Sequence, residues 1–294
     1  MNQQHKRFES LTVQEQVAIV AQGTHSEPII MEWDNSFETF DSKKLRTQMV
    51  QLIEKRSIFR IKLSSSLNLA MKTVPRHVFG DFTRFSSETK GSMQKFITLA
   101  YDYNQRMVAN ESSIESSPLA IAGQLSLIEI KKDSSILLVG LNSGYVQSLV
   151  AQLVGEKGSV LTISSNKEGI GICSERVNKF CPYKKIIAWK AINNIEDTNE
   201  ILKLCQEEKR DFDTIIYCGA VDKFPVQLQQ VLKPNGSILA SVVVKDREGV
   251  EEEDEDIPIA HVLEYQQFHL MEKYPDFTIF KIITGFGITY EKVR

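Results

Sequence analysis

The residues best placed to do chemistry are those of the turn Gly140-Leu141-Asn142-Ser143-Gly144-Tyr145. The turn follows the apolar run Ile136-Leu137-Leu138-Val139 and leads into Val146, Leu149, Val150 and Leu153, which share one helical face. A strand, a glycine turn and a helix, here Ser135 to Val154, form an arrangement suited to a nucleotide cofactor. Gly140 lets the chain turn sharply, Gly144 lets the helix start pack closely, and the first helical amides can face a polar or anionic group. Two glycines at this spacing also occur in turns that hold nothing. A dinucleotide dehydrogenase turn reads G-x-G-x-x-G, and this one lacks the middle and final glycines. Taken alone, Ser116 reads as an ordinary loop or N-cap serine before the Leu119 helix. His77 follows a Pro-Arg turn and reads as a surface or packing residue rather than a base. Tyr145 and Trp189 could flank an aromatic ligand or simply fill the core.

Those residues need a scaffold, and the apolar pattern supplies one. Strands are expected at Ile136–Val139, Val160–Ile163, Lys185–Ala188, Thr214–Tyr217 and Ser237–Val243. Helices are expected at Leu119–Ile128, Val146–Val154, Gly171–Phe180, Thr198–Gln206 and Pro225–Leu232, the last stopped by Lys233-Pro234-Asn235-Gly236. Nearly unbroken apolar strands alternating with helices imply an α/β fold, a mostly parallel sheet covered on both faces. Phe277–Ile283 and Gly287–Tyr290 read as two closing strands added antiparallel at one edge. Before this core, residues 45–70 pattern as helix broken near Arg56-Ser57, and Asp81 to Ser113 reads as a long irregular connection, a lid or a mobile loop. Residues 1–44 form an extension to a domain spanning 45–294. Within that domain lie a lead-in and substrate-side loop (45–118), a core (119–244), an acidic loop (245–261) and closing strands (262–294). The run Glu251 to Asp256 should stay extended and solvated through like-charge repulsion.

Composition narrows the function classes. A formal charge of -3, with 42% apolar and 25% charged residues, argues against nucleic-acid or membrane binding driven by bulk charge. Cys173, Cys181, Cys205 and Cys218 make no C-x-x-C pair and have no zinc-ligand spacing, so they read as reduced thiols with no metal. No signal-peptide or membrane-spanning run is present, and a cytoplasmic location is the expectation.

Several words in order carry a closer resemblance. Val74-Pro75-Arg76-His77-Val78-Phe79 is similar to V-P-R-x-x-F, and Ala100-Tyr101 with Ile114-Glu115-Ser116-Ser117-Pro118 is similar to A-Y followed by T-I-S-x-P. Ile136 to Tyr145 is similar to V-L-E-I-G-x-G-S-G-Y, and Phe212-Asp213-Thr214-Ile215-Ile216 through Leu232-Lys233-Pro234-Asn235-Gly236 to F-D-x-I-I and Q-L-K-P-G-G. Together they resemble the protein-L-isoaspartate O-methyltransferases, from about Leu45 to Val244 and more loosely from Val262 onward. The resemblance implies a Rossmann-like methyltransferase fold and S-adenosylmethionine as cofactor. It also implies methyl transfer to the carboxylate of isoaspartyl residues in damaged proteins, a protein-repair role. It places Ser116 beside the methyl-transfer site, Ile114, Ser117 and Pro118 along the isoaspartyl backbone, and Gly140, Leu141, Asn142, Ser143, Gly144, Ser164, Lys190 and Ala191 at the cofactor.

Departures from the family pattern cluster at those cofactor positions. Leu138 stands for an acidic residue in the first strand, Asn142 for the middle glycine, Ser164 for the acid that binds both ribose hydroxyls, and Lys190-Ala191 for the aspartate beside the adenine. Replacing a carboxylate by a serine hydroxyl forfeits a charge-assisted hydrogen bond, about 1.5 to 3 kcal/mol. Two readings therefore stand: an isoaspartyl methyltransferase, or a catalytically weak or inactive methyltransferase fold that serves as a protein-binding scaffold.

Overall fold

Hydroxyl and amide caps set the helix starts. Ser64, Asp81, Ser92, Ser117 and Asn166 each accept from a backbone amide three residues on, a bond worth about 1 kcal/mol per helix. The computed structural model describes residues 42–56, 61–110, 113–141, 143–245, 264–275, 278–284 and 287–293. The N-terminal extension up to residue 41, the acidic run and Asn142 lie outside the described residues. The chain divides into two compact units interleaved along the sequence, one of residues up to Ser134, Leu141–Thr162 and Asn166–Ala191, the other of Ser135–Gly140, Ile163–Ser165 and Ile192 onward.

The first unit begins with helices α1 (Ser42–Arg56) and α2 (Ser65–Thr73). The three-residue turn His77–Phe79 follows, then α3 (Phe82–Thr89) and α4 (Met93–Ala100). A hairpin of β1 (Met107–Asn110) and β2 (Ser113–Glu115) leads to α5 (Pro118–Ser126); α6 (Tyr145–Val154), β4 (Ser159–Ser164) as far as Thr162, α7 (Lys167–Phe180) and β5 (Ile187–Ala191) complete the unit. Leu67, Ala70 and Met71 bury one face of α2, which packs on α1, α5 and α6. The expected irregular stretch Asp81 to Ser113 is corrected: it holds α3, α4 and β1. Eight-residue helices are too short to print a clear period. What stabilises them is the caps at Asp81 and Ser92 together with Phe82 and Phe85, whose rings sit 5.6 and 5.3 Å from that of Phe96.

In the second unit β3 (Ser135–Val139), α8 (Thr198–Glu207), β6 (Phe212–Val221), β7 (Leu232–Lys245), β8 (Glu264–Lys273), β9 (Thr278–Thr284) and β10 (Gly287–Val293) follow in chain order. The strands lie in the order β10-β9-β8-β7-β6-β3 here and β4-β5 in the first unit. β6 runs parallel to β3 and β7, with Leu137 opposite Ile215 and Ile215 opposite Ile238, while β7, β8, β9 and β10 pair antiparallel. Ile136 to Val139, Ile215, Ile216, Ile238 and Leu239 are fully buried, as their unbroken apolar runs require. The Asp213 carboxylate accepts from the Ser135 amide at 2.7 Å and from Lys233 Nζ at 2.8 Å, tying together the starts of β3, β6 and β7.

Two expectations differ here. The antiparallel edge has three strands, not two: in β8 the apolar Phe268, Leu270 and Met271 follow the polar pair Gln266-Gln267 and are broken by His269, which hid the strand. Pro225–Leu232 is not an α-helix but the 3-10 turn Val226–Val231, whose Leu228 amide bonds Pro225 O three residues back. No helix among the described residues is long and apolar enough to cross a membrane.

Candidate functional site

In the first unit the segments Ile114 to Pro118 and Ser143 to Tyr145 are built around two buried charged residues, Arg76 and Glu115. Arg76, with 0% exposure, donates to three backbone carbonyls: Ala100 at 2.7 Å, Gln105 at 3.2 Å and Ser116 at 2.9 Å. Burial pulls its pKa down from the usual guanidinium value, and the charge of Glu115 acts most strongly against that pull. Glu115 is itself fully buried; its carboxylate accepts from the amide of Ser116 at 3.2 Å and from Ser143 Oγ. Ser143 Oγ in turn accepts from the Tyr145 amide at 3.2 Å, capping the first turn of α6. Ile114 to Pro118 and Ser143 to Tyr145 are thus joined by side-chain bonds.

The turn itself demands glycine. Gly140 and Gly144 have φ of +97° and +99°, values that side chains with a Cβ rarely adopt. A Cβ on Gly144 would also meet Val177 Cγ2 at 3.1 Å and Phe79 Cδ1 at 3.3 Å, so α6 starts in close contact with α7 and the His77–Phe79 turn. In the second unit the Gly140 amide donates to Ile163 O at 2.8 Å and the Ile192 amide to Ser164 O at 3.0 Å. These bonds bring the ends of β3 and β4 and the residue after β5 side by side. Gly140 lies 3.6 Å, at its absent Cβ, from Cys218 Cβ, and Gly219 faces open space at the corresponding position. At the carboxyl end of β6 a cavity of about 310 Å³ is lined in part by Glu196, Thr198, Tyr217 and Asp222. Open α/β sheets bind ligands at that end of their strands.

The expected site residues fall as follows. Ile114 is 58% exposed on β2, Ser116 is half-buried, Ser117 is the N-cap of α5 through its bond to the Ala120 amide, and Pro118 opens that helix. Of the two serines, Ser117 is therefore the N-cap, and Ser116 is held by its backbone. Leu141 is half-buried, and Ser143 and Gly144 are buried in the turn. Ser164 is buried at the end of β4, while Lys190 is half-buried and Ala191 exposed at the end of β5. Tyr145 has no exposed surface and is core, not a ligand-flanking ring, whereas Trp189 is half-buried. His77 is buried, its Nδ1 2.6 Å from the Tyr101 hydroxyl; burial, reinforced by Arg46, lowers its pKa to about 3, so it stays neutral and packs. Sequence reasoning passed over Arg76 and Glu115 as site-building residues. The available signal was a charged residue inside each of two motifs otherwise rich in apolar and small residues.

A family model described as protein-L-isoaspartate(D-aspartate) O-methyltransferase matches residues 47–256. A protein of that name from Dictyoglomus turgidum is 27% identical over 211 residues, covering 72% of this chain and 84% of its own. Its namesake from Vibrio campbellii is 28% identical over 149 residues, 51% of this chain and 65% of its own. Among solved structures, a protein-L-isoaspartate O-methyltransferase superposes with a TM-score of 0.57 at 16% identity, covering 85% of this chain and 64% of that one. A Plasmodium falciparum protein described as the same enzyme, in complex with S-adenosyl-L-homocysteine, gives 0.56 at 17% identity, covering 84% and 94%. The chain spans just under two thirds of the Vibrio relative and of the first structure. At such identities the structures speak to the fold, which is that of Rossmann-like methyltransferases with an antiparallel edge.

Proposed function

This chain belongs to the protein-L-isoaspartate O-methyltransferase family, and from that premise we propose that it methylates the carboxylate of isoaspartyl residues in damaged proteins and peptides, using S-adenosylmethionine. The observation that carries the reading is the continuous family match over residues 47–256, which includes both the Ser116 segment and the glycine turn. The positive φ of Gly140 and of Gly144 supports the reading, since each gives the backbone a conformation that a side chain with a Cβ rarely adopts. Gly140, Leu141, Asn142, Ser143 and Gly144 would hold it, with Ser164, Lys190 and Ala191 toward its nucleoside. When bound, S-adenosylmethionine supplies a methyl group activated by a sulfonium, which a carboxylate accepts without a strong base. The work left to the protein is positioning. Arg76 and Glu115 fix the carbonyl and amide of Ser116, which would hold its half-buried side chain beside the acceptor carboxylate. Ile114, exposed next to it, and Ser117-Pro118 would flank the isoaspartyl backbone.

A scaffold role for a weak or inactive methyltransferase fold is not favoured by the family match. A cytoplasmic location belongs to the proposal and is supported by the four cysteines, which form no disulfide among the described residues, as is usual for thiols in a reducing compartment. Methyl-ester formation on an isoaspartyl peptide, with the aspartyl peptide as control, tests the activity. Calorimetry with S-adenosylhomocysteine tests the cofactor, and no binding at millimolar concentration would sink the proposal.

A further inference from the structure

We propose that Glu115 is a positioning residue that locks the substrate-side segment and the glycine turn into one register, so that cofactor and peptide bind cooperatively. This rests on the methyltransferase reading for its ligands, but the contact stands on geometry alone. A carboxylate is costly to bury, and one with no exposed surface needs partners that repay its desolvation. Those of Glu115 come from both halves of the site: the amide of Ser116 and the hydroxyl of Ser143. Each of these is anchored again by a second contact. Ser116 offers its carbonyl to Arg76, which also grips Ala100 and Gln105, and Ser143 caps the Tyr145 amide. A shift of the turn would therefore drag the Ser116 segment with it, and the reverse. The T-I-S-x-P motif that this segment resembles has an apolar residue where Glu115 stands, so the linkage is a feature of this chain and not a requirement of the motif.

The expected behaviour follows from coupling: what orders one segment lowers the cost of ordering the other. Three variants separate the possibilities. Glu115→Gln can still accept from Ser116 and donate to Ser143 Oγ, so it should bind S-adenosylhomocysteine within about twofold of wild type. Glu115→Ile and Ser143→Ala each sever the link, from opposite sides, and should bind it about tenfold more weakly, the equivalent of one lost hydrogen bond. In both, KM for an isoaspartyl peptide should rise more than kcat falls. Hydrogen exchange provides a readout independent of any ligand: in Glu115→Ile the amides of Ser116 and Tyr145 should lose protection together. Unchanged affinity in both severing variants, or loss of protection at one amide only, overturns the proposal. A gain of stability in Glu115→Ile with the same tenfold loss of affinity supports it, because the residue then serves binding at the expense of stability. If the wild-type chain binds no S-adenosylhomocysteine, the methyltransferase reading fails, and the paired exchange at Ser116 and Tyr145 still decides the link.

Discussion

Ser164 sits buried at the end of β4, where its carbonyl accepts from the Ile192 amide, and on the proposed cofactor placement it is the residue toward the ribose. A carboxylate there could accept from both ribose hydroxyls, and charge-assisted bonds are about twice as strong as neutral ones. Ser164→Glu combined with Asn142→Gly is therefore expected to tighten S-adenosylhomocysteine binding by about tenfold, measured by calorimetry. An unchanged affinity would mean that the ribose lies elsewhere. His77 makes a different residue-scale point. Its folded pKa, lowered to about 3 by burial and then by Arg46, lies below its ordinary 6.5. Between those values the unfolded chain binds the extra proton, so neutral His77 contributes stability that is full above about pH 6.5 and is lost as pH falls toward 3. Within that window its contribution falls by up to about 1.4 kcal/mol per pH unit. Urea unfolding at pH 7 and pH 5 should lose less stability in His77→Gln than in wild type. An equal loss in both would show that His77 is not the group concerned.

At the level of elements, Arg76 joins the end of α4, the loop at Gln105 and the junction of β2 with α5 through three carbonyls. Arg76→Met fills much of the same volume but leaves those carbonyls unsatisfied. Each buried acceptor left unpaired costs about 1 to 3 kcal/mol, so the loss should reach about 3 to 5 kcal/mol. Denaturant unfolding should reveal a loss of that order, whereas Arg84→Met, which removes a surface i,i+4 pair with Glu88, should change stability by less than about 1 kcal/mol. A small loss in Arg76→Met would contradict the role given to its three bonds. The same elements mark where the sequence was legible. β3, β4 and β6 were readable because both their faces are buried, so their apolar runs are unbroken. α3 and α4 were not, because their stability comes from side-chain caps and a phenylalanine cluster spread over three segments. β8 was missed for a related reason: its side chains alternate too weakly to signal a strand, and its pairing with β7 from Lys245–Glu264 to Ser237–Glu272 makes it one.

For the whole chain, fold class could be read in the sequence because strand and helix periods alternate over more than 100 residues from Ser135 onward. The site was only half legible. Its glycines were visible because a left-handed backbone narrows the choice of residue. The pairing of Glu115 with Ser143 was not, because it joins positions that no periodic pattern links. The whole-chain prediction follows from linkage: a ligand that binds only the folded protein raises its stability by RT ln(1 + [L]/Kd), about 2.7 kcal/mol at a hundredfold excess over Kd. For a chain of this size each kcal/mol moves the unfolding temperature by about 2 to 4 °C, so saturating S-adenosylhomocysteine should raise it by about 5 to 10 °C. NAD at the same concentration should leave it unchanged. The turn has Asn142 and Tyr145 where a dinucleotide fingerprint has glycine, so the backbone cannot approach a pyrophosphate in that manner. A thermal shift with NAD and none with S-adenosylhomocysteine would reverse the assignment of the turn. A shift with neither would leave the fold without the ligand that its family membership leads one to expect.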